Sequence, residues 1–163
     1  GYLLISLAAL NEISASAILY YVAAYAAATI TAFAVLHTVE SGEDNAVVDT
    51  FNGLGKRNPF LAFCMAISML SLAGIPPLAG FFGKYYLFTV AFQSGYIGLV
   101  LVAVLTSLIG IYYYFRLIIA MYLKYTEKGL IFTVPARHTV VLTLCVLLSI
   151  VFGVFPDLLV GLI

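Results

Sequence analysis

Long apolar runs, separated by short polar segments, make up most of the chain. The longest run extends over 59–93 and contains a single charged residue, Lys84. About 20 helical residues cross the hydrocarbon core of a bilayer, so this run is too long for one straight crossing. Gly74, Pro76 and Pro77 interrupt it near the middle. Because proline removes a backbone donor and clashes with the preceding turn, a continuous helix through this point is not expected.

The other apolar runs predict further membrane-spanning helices. Spans are expected at about 1–10 (partial), 17–39, 97–123 and 139–155, beside the broken run at 59–93. The predicted fold is therefore an all-α, multi-pass transmembrane helical bundle with one proline-broken helix, forming a single domain over 1–163. Since Gly1 opens directly into an apolar run, we expect the chain to be a piece of a longer protein that begins partway through a helix.

Positive charges decide whether the run 59–93 crosses the membrane once or twice. With one crossing, the cationic residues of both polar loops fall on the same side: Lys56, Arg57, Lys124, Lys128 and Arg137. With two crossings they would divide between the sides. Because cytoplasmic loops carry the excess of Lys and Arg, a single crossing is favoured. The first half is then expected at about 60–73, the break at 74–77 and the second half at 78–93, with the basic loops on the cytoplasmic side.

Composition sets the class of protein and excludes several kinds of chemistry. Only 9% of the residues are charged, against about 25% in soluble domains, so the lipid bilayer is the expected surroundings. A net charge of zero excludes a basic surface for nucleic acid. Cys64 and Cys145 lie inside apolar spans, where they are expected to be small packing residues. No metal-ligand spacing, redox motif, phosphate loop or nucleophile–base pair is visible in the sequence.

Lys84 is the principal candidate for function, because a lysine in mid-membrane costs roughly 2.5–3.5 kcal/mol even on the gentlest scale. A discontinuous helix exposes two polar half-helix ends at that depth, and such breaks recur at ion-coupling sites of transporters. Helical side chains lean toward the N-terminus, so the amine can return to the break, with Gly80 and Gly83 leaving room around it. Burial disfavours the charged form, so Lys84 is expected to load and release a proton. The alternative is a structural lysine, paired with a buried carboxylate or with carbonyls.

Arg116 and His37 are two further candidates. Arg116 lies about 12 Å from the end of its helix, at ~1.5 Å per residue. It either reaches the cytoplasmic interface along its own stem, or places a charge in a hydrated path beside Tyr112, Tyr113 and Tyr114. His37 falls in the last turn before the polar loop. It is either an interfacial histidine or a proton relay to the cytoplasm.

Three stretches of the sequence carry a resemblance to a known family. They are GLGKRNPFLA (53–62), SLAGIPPLAGFFGKYYLF (71–88) and SLIGIYYYFRLIIAMYL (107–123). These stretches resemble the antiporter-like family of proton-pumping membrane subunits of respiratory complex I, and within it the subunit N branch, the counterpart of mitochondrial subunit 2. The resemblance covers nearly the whole chain and corresponds to the C-terminal third of the family's chain. It implies the second half of an inverted-repeat fold.

The resemblance also implies a function. The lysine that matches Lys84 is a key protonatable residue in the second half-channel of that family. The helix at 17–39, in contrast, lacks the central lysine of some paralogues. The implied role is that of a non-redox, proton-translocating subunit of NADH:quinone oxidoreductase in a bacterial inner membrane, an organellar membrane being the less expected location. The implied partners are other membrane subunits of complex I, and flavin, iron–sulfur clusters and quinone are expected on other subunits, with no cofactor on this chain.

Two alternatives remain open from the sequence. One is a subunit of a cation/proton antiporter or of a membrane-bound hydrogenase with the same fold. The other is a scaffold that only packs the assembly, with Lys84 structural. A scaffold of this kind calls for a carboxylate partner, and the spans of this chain contain none.

Overall fold

The fold is a bundle of α-helices. The computed structural model describes residues 1–11, 13–40, 48–124 and 134–161, and these ranges contain no strand. In chain order the helices are α1 (Tyr2–Ala8), α2 (Ser14–Glu40), α3 (Leu54–Arg57), α4 (Pro59–Ala73), α5 (Ala79–Gln93), α6 (Ile97–Leu123), α7 (Ala136–Val154) and α8 (Asp157–Val160). A 3-10 turn at Val48–Phe51 precedes α3. The predicted all-α helical class is confirmed.

Local signals set both ends of α4. Pro59 occupies its first turn, and the Asn58 side chain accepts a hydrogen bond from the Leu61 amide at 3.2 Å, so the helix starts with a side-chain cap. At the other end Gly74 adopts φ +83°, a left-handed conformation that ends helices and that side chains with a Cβ rarely adopt. Helix α5 begins only at Ala79. The break therefore extends over 74–78, one residue beyond the expected 74–77.

Helices α4 and α5 lie one after the other along α2. Val35, near the C-terminal end of α2, packs in one apolar cluster with Leu61 of α4. Ala17, near the N-terminal end of α2, packs in another cluster with Leu87 of α5. At ~1.5 Å per residue, the 27 residues of α2 are about 40 Å long, close to the combined length of two 15-residue helices. The order of α4 and α5 along α2 agrees with one interrupted helix rather than a hairpin of two, and the single crossing of the membrane stays a prediction.

Contacts at the two ends of the bundle agree with a single crossing. Lys124, after α6, lies 3.5 Å from the carboxylate of Asp49, before α3. Ser94, after α5, donates a hydrogen bond to the carbonyl oxygen of Ala9 at 3.0 Å, at the other end. The chain segments before α3 and after α6 therefore lie at the same end. Lys128 and most of the first polar loop lie outside the described residues.

Three helices of the described chain are long and apolar enough to cross a membrane. They are Ser14–Val39, Ile97–Leu123 and Ala136–Val154, and Pro59–Ala73 is a shorter apolar helix. Helix α6 exposes much of its apolar surface, including Leu101, Leu105 and Leu108, each with about 60% of its surface accessible. At the α4–α5 break, in contrast, Ala73, Ala79 and Gly80 at the two helix ends are buried, although Pro76 and Pro77 between them are exposed. The bundle thus places the two polar half-helix ends among other helices, where membrane proteins tolerate irregular backbone.

Candidate functional site

The Lys84 amine lies at the break between α4 and α5. Its Nζ donates hydrogen bonds to the carbonyl oxygens of Leu72 at 2.9 Å and Ala73 at 3.0 Å, and to the Ser107 hydroxyl at 3.0 Å. An ammonium group has three donors, and these three acceptors match them. The two carbonyls belong to the last turn of α4, where no intrahelical partner remains for them. Lys84 therefore caps the negative end of the first half-helix, a position that favours a cation.

The second half-helix is capped in return by the first. The Gly80 amide, in the first turn of α5, donates a hydrogen bond to the Ser71 hydroxyl at 3.2 Å. The Ser149 hydroxyl of α7 lies 3.1 Å from the same oxygen, and both serines are buried. Each half-helix thus uses a side chain of the other half to satisfy its free backbone groups. These hydrogen bonds stabilise the interrupted backbone between α4 and α5 in one defined conformation.

Glycines allow the backbones around the break to approach closely. A Cβ at Gly80 would lie 1.9 Å from the Ser71 carbonyl oxygen, and one at Gly153 of α7 would lie 2.0 Å from the Pro77 carbonyl oxygen. A Cβ at Gly83 would lie 3.2 Å from the Tyr21 ring. These glycines bring helices together, and Gly80 also lines the larger cavity beside Lys84. The expectation that Gly80 and Gly83 leave room around Lys84 stays a prediction.

Two cavities meet at Lys84. The larger, of about 380 Å³, is lined by Lys84, Ser107 and a set of tyrosines. The tyrosines are Tyr2, Tyr21, Tyr25 and Tyr114. The Tyr2 ring centroid lies 5.3 Å from Nζ, within the range of a cation–π interaction. A water molecule needs only ~10–15 Å³ of such volume and a few polar partners, so this cavity can hold several waters.

The smaller cavity, of about 310 Å³, lies between α5 and α6 and is more apolar. Phe81, Phe88 and Leu108 contribute to its wall. Lys84 and Ser107 line it as well, and among the described residues these two line both cavities. The Lys84–Ser107 pair therefore stands at the boundary between the two spaces. This arrangement places Nζ where it borders both cavities.

A comparison with protein families identifies the bundle. Residues 1–110 match the model described as NADH:quinone oxidoreductase/Mrp antiporter, TM. The chain belongs to this antiporter-like family. The match includes α1 to α5 and the part of α6 that carries Ser107, so Lys84 and its three hydrogen-bond partners fall within the family region, whereas Tyr114 and Ser149 lie beyond it.

Individual relatives of the family agree. The chain is 46% identical over 161 residues to NADH-quinone oxidoreductase subunit N of Cytophaga hutchinsonii, which covers 98% of this chain and 35% of the relative. Subunit N of Trichlorobacter lovleyi is 41% identical, covering 97% of this chain and 33% of the relative. The chain thus spans about a third of the length of these relatives. The predicted resemblance to the subunit N branch is confirmed.

A solved structure agrees with the fold. It is described as respiratory complex I from Thermus thermophilus with bound aureothin, and one of its chains matches with a TM-score of 0.87 and 32% identity. The match covers 98% of this chain and 36% of that chain. The expected location, as a multi-pass protein of a bacterial inner membrane, agrees with the bacterial relatives and with the membrane-spanning helices.

Arg116 is not brought to the Lys84 site. It is exposed on α6 and lines neither of the two cavities. Tyr112 and Tyr113 are exposed beside it, whereas Tyr114 turns inward and lines the larger cavity. The position fits a side chain that reaches an interface better than a charge inside the antiporter-like bundle. Its role stays a prediction.

His37 lies at the end of α2, away from the break, and is exposed. Its ring faces that of His138 in the first turn of α7, with 6.0 Å between centroids. The Thr38 hydroxyl lies 3.3 Å from His138 Nδ1. The two histidines of the chain thus form a pair at the end of the bundle that carries the basic residues. This pair was not anticipated, and the proposed relay through His37 stays a prediction.

Within the described residues, no group of three or more His, Cys, Asp or Glu is placed to hold a metal ion. Cys64 is buried and Cys145 half-buried, both as free thiols. Lys84 contacts no carboxylate among the described residues, and its structural partners are carbonyls instead.

Ser71, Ser107 and Ser149 belong to the site and were missed from the sequence. The sequence did indicate them as candidates, because each is a polar residue inside an apolar helix. Buried hydroxyl groups in membrane proteins form hydrogen bonds with other helices. The same description fits Ser68 and Thr106, however, which make their hydrogen bonds elsewhere. The sequence therefore offered no means of choosing between them.

Proposed function

We propose that this chain carries one proton-relay site of a proton-translocating membrane subunit of NADH:quinone oxidoreductase, and that Lys84 is the group that takes up and releases the proton. Electron transfer, with flavin, iron–sulfur clusters and quinone, belongs to other subunits, which are the partners of this chain. The position of Lys84 Nζ, held at the helix break on the boundary of two cavities, is the observation that carries the proposal.

Two opposing effects act on the amine. The α4 carbonyl end and the three acceptors stabilise the ammonium form, whereas partial burial away from water favours the neutral amine. Because the two effects oppose each other, both protonation states are accessible. Nζ can then accept a proton from water in one cavity and return it to water in the other. An antiporter in the same family would use the same step, and the subunit N relatives favour the oxidoreductase.

A structural role for Lys84 is the second candidate, and a specific observation favours it. All three donors of the ammonium have acceptors, two of them backbone carbonyls that would otherwise lack a partner. A lysine that serves only as a helix cap would show the same geometry. The relay and structural roles predict different proton pumping for a variant of Lys84 that keeps the positive charge but does not release its proton.

Substitution of Lys84 separates these roles in the complete complex. The relay predicts that Lys84→Ala assembles but pumps poorly. Lys84→Arg is also impaired, because arginine does not release its proton. Lys84→Glu restores a titratable group and is expected to regain part of the activity. The structural role predicts that Lys84→Arg resembles wild type, while Ala and Glu assemble poorly.

The measurement is proton translocation per NADH oxidised in sealed vesicles, normalised to assembled complex. Lys124→Ala, at an exposed lysine outside the site, is the matched control and should pump like wild type. Normal pumping by Lys84→Arg, together with loss of assembly in Lys84→Ala, would refute the relay.

A further inference from the structure

We infer that Ser107 is a positioning residue for Lys84, whose hydroxyl holds the amine in both of its protonation states at the boundary between the two cavities. The inference rests on the proposed function, because it assigns a role within the same proton relay. It begins from the 3.0 Å hydrogen bond between Lys84 Nζ and Ser107 Oγ.

The three partners of Lys84 differ in what they can do when the proton leaves. The carbonyl oxygens of Leu72 and Ala73 only accept hydrogen bonds, whereas a serine hydroxyl both accepts and donates. The ammonium form gives one N–H to each partner. After release, the neutral amine keeps two N–H groups for the two carbonyls and presents a lone pair. Ser107 is the partner that can rotate its hydroxyl to donate to that lone pair, so Nζ stays in place in both states.

The proton balance of this cycle involves water and Nζ. For release, the N–H that points to Ser107 turns to a water molecule in one cavity, this N–H bond breaks, the proton passes to the water, and the electron pair stays on nitrogen. For uptake, the Ser107 hydroxyl turns away from the lone pair, which takes a proton from water in the other cavity, and the amine becomes an ammonium again. Ser107 gains and loses no proton in the balance. It changes only from acceptor to donor, which makes it a positioning residue.

The position of Ser107 supports this role independently of its hydrogen bond. Ser107 lies on α6, Lys84 on α5 and the two carbonyls on α4, so three helices converge on one nitrogen atom. In the part of the chain that the structure describes, Ser107 is also the one residue besides Lys84 that lines both cavities. On the same helix, Gly110 lines only the larger cavity and Leu108 only the smaller. Ser107 therefore marks the point where α6 separates the two compartments.

The neighbouring hydroxyl of Thr106 provides a matched control. Thr106 donates its hydrogen bond to the Ala103 carbonyl of its own helix at 2.9 Å. It is exposed and lines neither cavity. Thr106→Ala removes a hydroxyl, together with a methyl group, from the adjacent position of α6 and leaves the hydrogen bonds of Lys84 untouched.

The test compares Ser107→Ala, Ser107→Thr and Thr106→Ala in the assembled complex. Ser107→Ala should lower the rate of proton translocation through this site about tenfold, since it removes a hydrogen bond to a charged group. Its pH profile of translocation should shift to lower pH, because the ammonium form loses the stronger bond. Ser107→Thr keeps the hydroxyl and should restore both quantities, and Thr106→Ala should match wild type.

The outcomes distinguish this inference from the proposed function. Normal pumping and an unchanged pH profile in Ser107→Ala, with Lys84→Ala impaired, would overturn the role of Ser107 and leave the Lys84 relay intact. Normal pumping in Lys84→Ala would overturn the relay itself. If Ser107→Ala fails to assemble, Ser107→Cys, which keeps the size but weakens the hydrogen bond, takes its place. Wild-type pumping and pH profile in Ser107→Cys would then overturn the inference.

Discussion

Gly80 lies so close to Ser71 that the two halves of the broken helix touch backbone to backbone. The Gly80 amide donates to the Ser71 hydroxyl at 3.2 Å, and a Cβ on Gly80 would lie 1.9 Å from the Ser71 carbonyl oxygen. The second half-helix therefore begins beside the last turn of the first, rather than beyond it. This overlap keeps the α4 carbonyl end within reach of Lys84, about one turn further along α5.

Gly80→Ala should disrupt the break. The added methyl group meets backbone atoms that cannot rotate away, and overpacking of this kind costs about 1–3 kcal/mol or more. We expect a lower yield of assembled complex and lower thermal stability in detergent. Gly98→Ala on α6 is the control, since a Cβ there meets no atom within 4 Å, and it should be neutral or slightly stabilising. Equal yields for the two variants would contradict the close packing at Gly80.

Replacement of both Pro76 and Pro77 with alanine should reduce pumping while the complex still assembles. Two alanines restore the missing backbone donors and allow a continuous helix. The carbonyls of Leu72 and Ala73 would then be used within the helix and lost to Lys84. The measurement is proton translocation per NADH oxidised, normalised to assembled complex.

A control for the proline variant is Pro59→Ala, because Pro59 lies in the first turn of α4, where its missing N–H needs no partner. This variant should pump like wild type. Unchanged pumping in a fully assembled double-alanine variant would show that the prolines have no role in the relay.

Single cysteines should report one crossing for the broken helix. With Cys64 and Cys145 replaced by alanine, cysteines introduced at Asp49 and at Lys124 should react with an impermeant thiol reagent from the cytoplasmic side only. A cysteine at Ser94 should react from the opposite side only. The expectation follows from the 3.5 Å contact between Asp49 and Lys124 at one end of the bundle. Labelling of the first two positions from opposite faces would mean that the run crosses twice.

Several features of this protein were determined by the sequence alone, because they depend on local physics. Two successive prolines after a glycine interrupt a helix by local sterics and missing donors, so the break at Gly74, Pro76 and Pro77 was predicted to within one residue. The return of the Lys84 amine to the break follows from the lean of helical side chains. The distribution of Lys and Arg between the loops pointed to a single crossing.

Other features were decided only by the tertiary structure. Ser71, Ser107 and Ser149 acquire their roles from partners on other helices, and sequence periodicity does not say which helix lies opposite a given residue. Arg116 faces outward because of the rotation of α6 about its axis, which packing against α4 and α5 sets. Helix packing also decides that Lys84 meets the carbonyls of Leu72 and Ala73. The sequence of a single helix does not specify which atoms of a neighbouring helix will contact a buried charge.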